Sequence, residues 1–147
     1  MGLTSLIEYL ESFNRKERFF LIGEALGNSK FRLSDDFRSR LSATFRALVP
    51  SDAFVAMDYH LDWIHTSLYL AVPAIDEKAV HLNTDAITSG TQEDTDLIVA
   101  FEERAITHIL LIEAQAETGW TNKQMCSKSK RLGKIFWNRS YEISLCE

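Results

Sequence analysis

At 147 residues, 46% hydrophobic and 25% charged, the chain has the size and composition of one soluble globular domain with a sizeable core. No apolar run approaches the roughly 20 residues of a membrane span, and two cysteines, Cys126 and Cys146, are too few for a disulfide framework. The net charge of −5 is unevenly spread: residues 52–117 hold thirteen Asp/Glu against two Lys/Arg, and residues 118–147 hold six Lys/Arg against two Asp/Glu. Binding responds to local patches, so the overall acidity does not exclude a nucleic-acid partner.

The N-terminal stretch MGLTSLIEYLESF carries Glu8 and Glu11 and lacks a basic leader followed by a cleavage site. With reduced thiols, that points to the cytoplasm as the expected location. Ser5 followed by Glu8 is a capping-box pattern that opens a short helix with Leu6, Ile7, Leu10 and Phe13. Asn14 followed by Glu17 repeats it, with Phe19, Ile22 and Leu26 inward and Gly27-Asn28 as the stop. Ser34 caps a third helix, in which Phe37, Leu41, Phe45 and Leu48 recur at helical spacing before Pro50. Ser51 or Asp52 then caps a fourth through AFVAMDYHLDWIHTSLYLA, a segment aromatic enough to be partly strand.

From about residue 80 the period changes. LIVAF (97–101) and HILLIEA (108–114) are short and apolar on both faces, as central strands are. EERAIT between them is a connector of hairpin length. Thr118-Gly119 breaks the second strand, and Thr121 or Asn122 caps a closing helix through Phe136. The tail NRSYEISLCE offers one weakly alternating run and ends before a further strand and a second covering helix are evident. An open sheet edge left there invites pairing with another chain, so a homodimer is among the expected partners.

Residues two apart on a strand share a side, so Glu113 and Gln115 point the same way. A hairpin centred on the connector pairs positions whose numbers sum to about 209, which sets Asp96 across from Glu113. An Asp, a Glu and a carboxamide gathered at one end of a buried sheet suit a hard divalent cation such as Mg²⁺ or Mn²⁺. Such an ion polarises a phosphate and lowers the pKa of bound water.

Asp96 in EDTDLIVAF, Glu113-Ala114-Gln115 in HILLIEAQ and a following helix that carries Gln124 together resemble the PD-(D/E)XK nuclease superfamily. The resemblance spans residues 90–136. It implies an α/β fold of restriction-endonuclease-like architecture, a central mixed sheet flanked by helices, with Asp96 and Glu113 as metal ligands and DNA as partner. The third motif position is usually Lys, and here it is Gln115. A neutral amide orients a water or offers its oxygen to a metal, and supplies no positive charge. A lysine from the next helix is the alternative source of that charge. Projecting residues 122–136 at 100° each puts Met125, Leu132 and Phe136 on one face with Ser129, and Gln124, Lys128 and Arg131 on its flank. Lys128 is thus the replacement cation, while Lys123, Lys130 and Lys134 lie opposite the core. In the exonuclease-like branch, Gln here is followed four residues on by Tyr; Lys128 stands in that place, so this branch's motif is half present.

Residues 122–139 supply Lys123, Lys128, Lys130, Arg131, Lys134 and Arg139 without one acidic residue, between Trp120 and Trp137. Phosphate contacts need such cations, and the indoles can stack on unpaired bases. The expected activity is therefore Mg²⁺-dependent phosphodiester hydrolysis of DNA. The alternatives are a catalytically silent descendant that binds nucleic acid or protein, and a helical adaptor built on NRKERFFLIGEAL and SDDFRSRLSATFRALV. On the plainer reading, Asp96 caps a strand entrance and Glu113 surfaces at the sheet's end. Asp58, Asp62 and His65, with His60 nearby, fall at helical spacing and form a rival metal site that no second cluster completes. Glu24 is an additional helical carboxylate, better explained by a salt bridge. Neither a Ser-His-Asp arrangement nor a glycine-rich phosphate loop is present.

Overall fold

The computed structural model describes residues 5–13, 31–73, 75, 79–84, 86–90, 93–114, 122–137 and 144–146. The second expected helix, with Glu24, lies outside them. The protein is mixed α/β, with helices α1 (Leu6–Phe13), α2 (Asp35–Phe45), α3 (Leu61–Leu70) and α4 (Asn122–Phe136) and strands β1 (Phe54–His60), β2 (Asp94–Glu103), β3 (Ile106–Ile112) and β4 (Ser144–Cys146). None of the described helices is long and apolar enough to cross a membrane.

The chain expected as one domain divides into two compact units, each assembled from separate stretches of sequence. One comprises residues 14–59, 95–113 and 142–147 and is organised by the sheet. Its strand order is β1-β2-β3-β4. β2 and β3 form an antiparallel hairpin, from Leu97 opposite Ile112 to Glu103 opposite Ile106. β4 lies parallel to β3, with Leu110 opposite Ser144 and Ile112 opposite Cys146. The tail thus supplies the further strand that its weak alternation left in doubt; three residues are too few to show a period. The turn between β2 and β3 is only Arg104 and Ala105, at φ 51° and 63°. EERAIT is therefore mostly strand. Its alternation is masked because both flanking ends emerge into solvent.

Leu41, Ala47, Val49, Val55, Val99, Phe101 and Leu110 form the core of this unit, edged by Phe31, Leu33, Phe45, Leu97 and Ile112. Ser34 caps α2 as expected, its hydroxyl accepting from the Phe37 N–H at 3.3 Å. The helix stops earlier than Pro50, at Phe45, where Arg46 turns left-handed at φ 53°. Ser42 Oγ then accepts the Val49 N–H at 3.0 Å, and Leu48 is turned outward. The hydrophobic period across residues 37–48 is therefore part helix and part extended chain.

The other unit comprises residues 1–13, 60–94 and 114–141. The Ser5 capping box is reciprocal: Ser5 N–H donates to Glu8 Oε2 at 2.6 Å, and Glu8 N–H to Ser5 Oγ at 3.3 Å. Leu6 and Leu10 are buried as α1 packs on α3, which buries Leu61, Ile64, His65, Ser67 and Leu68. α3 also packs on α4, whose buried residues include Leu132, Ile135 and Phe136. Leu132 and Phe136 match the expected stripe; Ile135 joins it and Ser129 is exposed, so the buried face is rotated toward Lys128 and Arg131. The stretch 53–71, expected as a helix with some strand character, is strand to His60 and helix from Leu61. Asp58, at φ 49°, is the left-handed residue within β1, a conformation that Asp tolerates better than β-branched residues.

Candidate functional site

The two motif carboxylates lie at the open end of the β2–β3 hairpin. Paired residues from Leu97 and Ile112 to Glu103 and Ile106 all sum to the value expected from sequence. Asp96 directly precedes Leu97 within β2, and Glu113 directly follows Ile112, just past the end of β3. Both belong to the sheet-based unit, and both are half-buried.

The two faces of the hairpin have different occupants. Leu97, Val99 and Phe101 share a face with Leu110 and Ile112 and build the core against α2. Asp96 lies on the other face with the buried Ile98, and Glu113 follows Ile112 just past the end of β3.

Thr95, between Asp94 and Asp96, points to the first face and is fully buried at 1% exposure. Its hydroxyl lies 3.3 Å from the Ile112 carbonyl oxygen and 3.4 Å from that of Leu97. This side chain ties β2 to the last residue of β3, immediately before Glu113. Sequence reasoning passed over it. A threonine in an acidic run has no signal of its own, and its acceptor is known only once the register is.

Gln115, the third motif residue, lies outside the described residues, as do Trp120 and Arg139. Asp96 and Glu113 alone form the described part of the site. Among the described residues no group of three or more His, Cys, Asp or Glu side chains is placed to hold a metal ion. Two carboxylates fit Mg²⁺ in particular, because that ion keeps several waters and binds through one or two carboxylates plus substrate phosphates.

The expected basic surface lies on α4, in the helical unit. Lys123 and Gln124 fall in its first turn. Lys128 is half-buried, and Lys130 and Lys134 are exposed. Arg131 turns inward, its side chain 11% exposed, and meets two carboxylates. Its Nη2 donates to Asp62 Oδ1, and its Nη1 to Glu93 Oε2 at 3.1 Å. Asp62 also accepts the Gly90 N–H at 2.9 Å and the Ser89 N–H at 3.4 Å. Arg131 therefore leaves the set of phosphate contacts expected from sequence, since its charge is balanced inside the helical unit. Spacing alone does not separate it from the lysines; its acceptors are 69 and 38 residues away.

The rival cluster in DYHLDWIH is dispersed for the same reason. Asp58 is on β1 and not on the helix, Asp62 is held by Arg131, and His65 Nδ1 sits 3.1 Å from Thr88 Oγ1. No family model, curated protein or solved structure matches this chain.

Proposed function

We propose that this protein is a Mg²⁺-dependent phosphodiesterase of restriction-endonuclease-like fold that acts on DNA. The observation that supports the reading is the β2–β3 hairpin, whose register runs to Leu97 opposite Ile112; continued by one step in this reading, it brings Asp96 and Glu113 together. A mixed sheet, an antiparallel hairpin extended by a parallel fourth strand, supports the architecture that the motif implies.

In this reading Asp96 and Glu113 bind the ion (Mn²⁺ substituting for Mg²⁺), and Gln115 orients the attacking water through its amide. The bound ion supplies charge neutralisation at the scissile phosphate and a more acidic water. Lys128, Lys130 and Lys134, with Lys123, are the cations for the substrate's phosphates, and Gln124 is a neutral hydrogen-bonding neighbour on the same helix. The decisive experiment is plasmid nicking in Mg²⁺ or Mn²⁺ by the whole chain, with Glu113→Ala as control. Metal-dependent nicking that disappears in the variant supports the reading; nicking that survives it ends the role of Glu113.

Gln115 in place of the usual lysine favours a second reading, a nucleic-acid-binding descendant without catalysis. Such a protein shifts DNA in a salt-dependent manner, and Lys128→Ala weakens the shift while no nicking occurs.

A further inference from the structure

We infer that the outward face of α4 is a binding track for an unpaired nucleic-acid strand, with Trp137 as its base-stacking platform. This deepens the proposed function by naming the form of the substrate, and it rests on that reading for its place in the reaction.

Burial fixes which side of α4 faces outward. Leu132, Ile135 and Phe136 are buried, and Cys126, Ser127, Lys130, Gly133, Lys134 and Trp137 are exposed. At 100° per residue, Lys130 and Lys134 (i, i+4) share a stripe, and Trp137 follows as the first residue after the helix. The backbones of the two lysines are about one turn apart, a rise of about 6 Å, and Trp137 stands in the turn that ends the helix. The surface beside them is open at Gly133, where a Cβ would meet nothing within 4 Å. The whole helix carries no acidic residue.

Two features select the partner. Exposed lysines without interleaved carboxylates complement a polyanion, and Arg131, the cation best suited to rigid pairing, is already engaged by Asp62 and Glu93. Trp137 is 84% exposed, a large apolar plane standing in water at the end of the basic stripe. The bases of a duplex already stack on one another, whereas an unpaired base offers its whole face to an indole. Lysine for phosphate followed by tryptophan for base is thus the chemistry of a single strand.

The test is fluorescence anisotropy in EDTA, so that cleavage plays no part, with an oligothymidylate of about 20 nucleotides and a duplex of equal length as probes. The whole chain should prefer the single strand. Trp137→Ala should weaken single-strand binding about five- to a hundred-fold, with Trp137→Phe retaining most of it and duplex binding unchanged. Lys130→Ala with Lys134→Ala should lower the slope of log affinity against log salt by about 1.4. Equal affinity for both probes, or a Trp137→Ala variant that binds the single strand as wild type does, overturns the inference. Because binding is read in EDTA, without metal or cleavage, failure of the nicking assay and failure of this track are separate results.

Discussion

Thr95 Oγ1 lies 3.3 Å from the carbonyl oxygen of Ile112, so a buried hydroxyl on one strand of the hairpin closes on the residue that precedes Glu113 on the other. Valine at this position keeps the β-branched shape and removes the donor. Thr95→Val should therefore lower stability by about 1–2 kcal/mol, the cost of a lost hydrogen bond at a buried acceptor. Urea unfolding checks this as a lower midpoint at unchanged slope. A variant as stable as wild type would mean that the hydroxyl contributes nothing to the hairpin's end.

Metal binding should itself stabilise the protein, since a ligand held by the native state alone raises the unfolding free energy by mass action. At a Mn²⁺ concentration about a hundred times its dissociation constant, wild type should gain about 2.7 kcal/mol. Asp96→Asn and Glu113→Gln should each lose most of that gain, with affinity down at least about a hundred-fold, because changes even one shell further out commonly cost 10–100-fold. Thermal unfolding with and without Mn²⁺ reads this directly. Equal metal-induced shifts in all three proteins would remove the two carboxylates from the site.

Arg131 joins α4 to Asp62 on α3 and to Glu93 within the helical unit, all three side chains being largely buried. Arg131→Met leaves two carboxylates facing a side chain without charge and should cost about 3–5 kcal/mol. Arg131→Lys keeps the charge and loses the two-pronged geometry, so its loss should be smaller. Chemical denaturation of both variants gives the comparison, and a loss below about 1 kcal/mol for the methionine variant would show the triad to be ornamental.

The β2–β3 turn is stabilised poorly by its own residues. Arg104 and Ala105 both have positive φ, the requirement of a two-residue type I′ turn that an Asn-Gly pair meets best. The double substitution Arg104→Asn with Ala105→Gly should raise stability by about 1 kcal/mol. The thermal midpoint should rise with metal binding at the far end of the hairpin untouched. An unchanged or lower midpoint would show that the turn carries no such strain.

The elements that could be placed from sequence were those whose signals are local. Ser5 and Glu8 name each other's partner three residues apart, and Ser34 caps α2 in the same way. The hairpin was legible too: two runs buried on both faces and joined by a short connector leave little freedom of register. The pairs from Leu97 and Ile112 to Glu103 and Ile106 follow from that arithmetic. Where signals overlapped, sequence was ambiguous. Residues 53–71 carry both an aromatic strand pattern and a helical spacing, and the left-handed Asp58 in β1 has no local marker.

By itself, then, the sequence determined the Ser5 and Ser34 caps and the apolar runs of the hairpin with their register, because each depends on neighbours or on one short loop. Only the tertiary structure decided that Arg131 faces inward to Asp62 and Glu93, that Thr95 closes on Ile112, and that Trp137 stands exposed beyond two outward lysines. The physical reason is reach. A guanidinium or hydroxyl takes whichever acceptor packing brings near, and acceptors 17 to 69 residues distant leave no periodic trace along the chain.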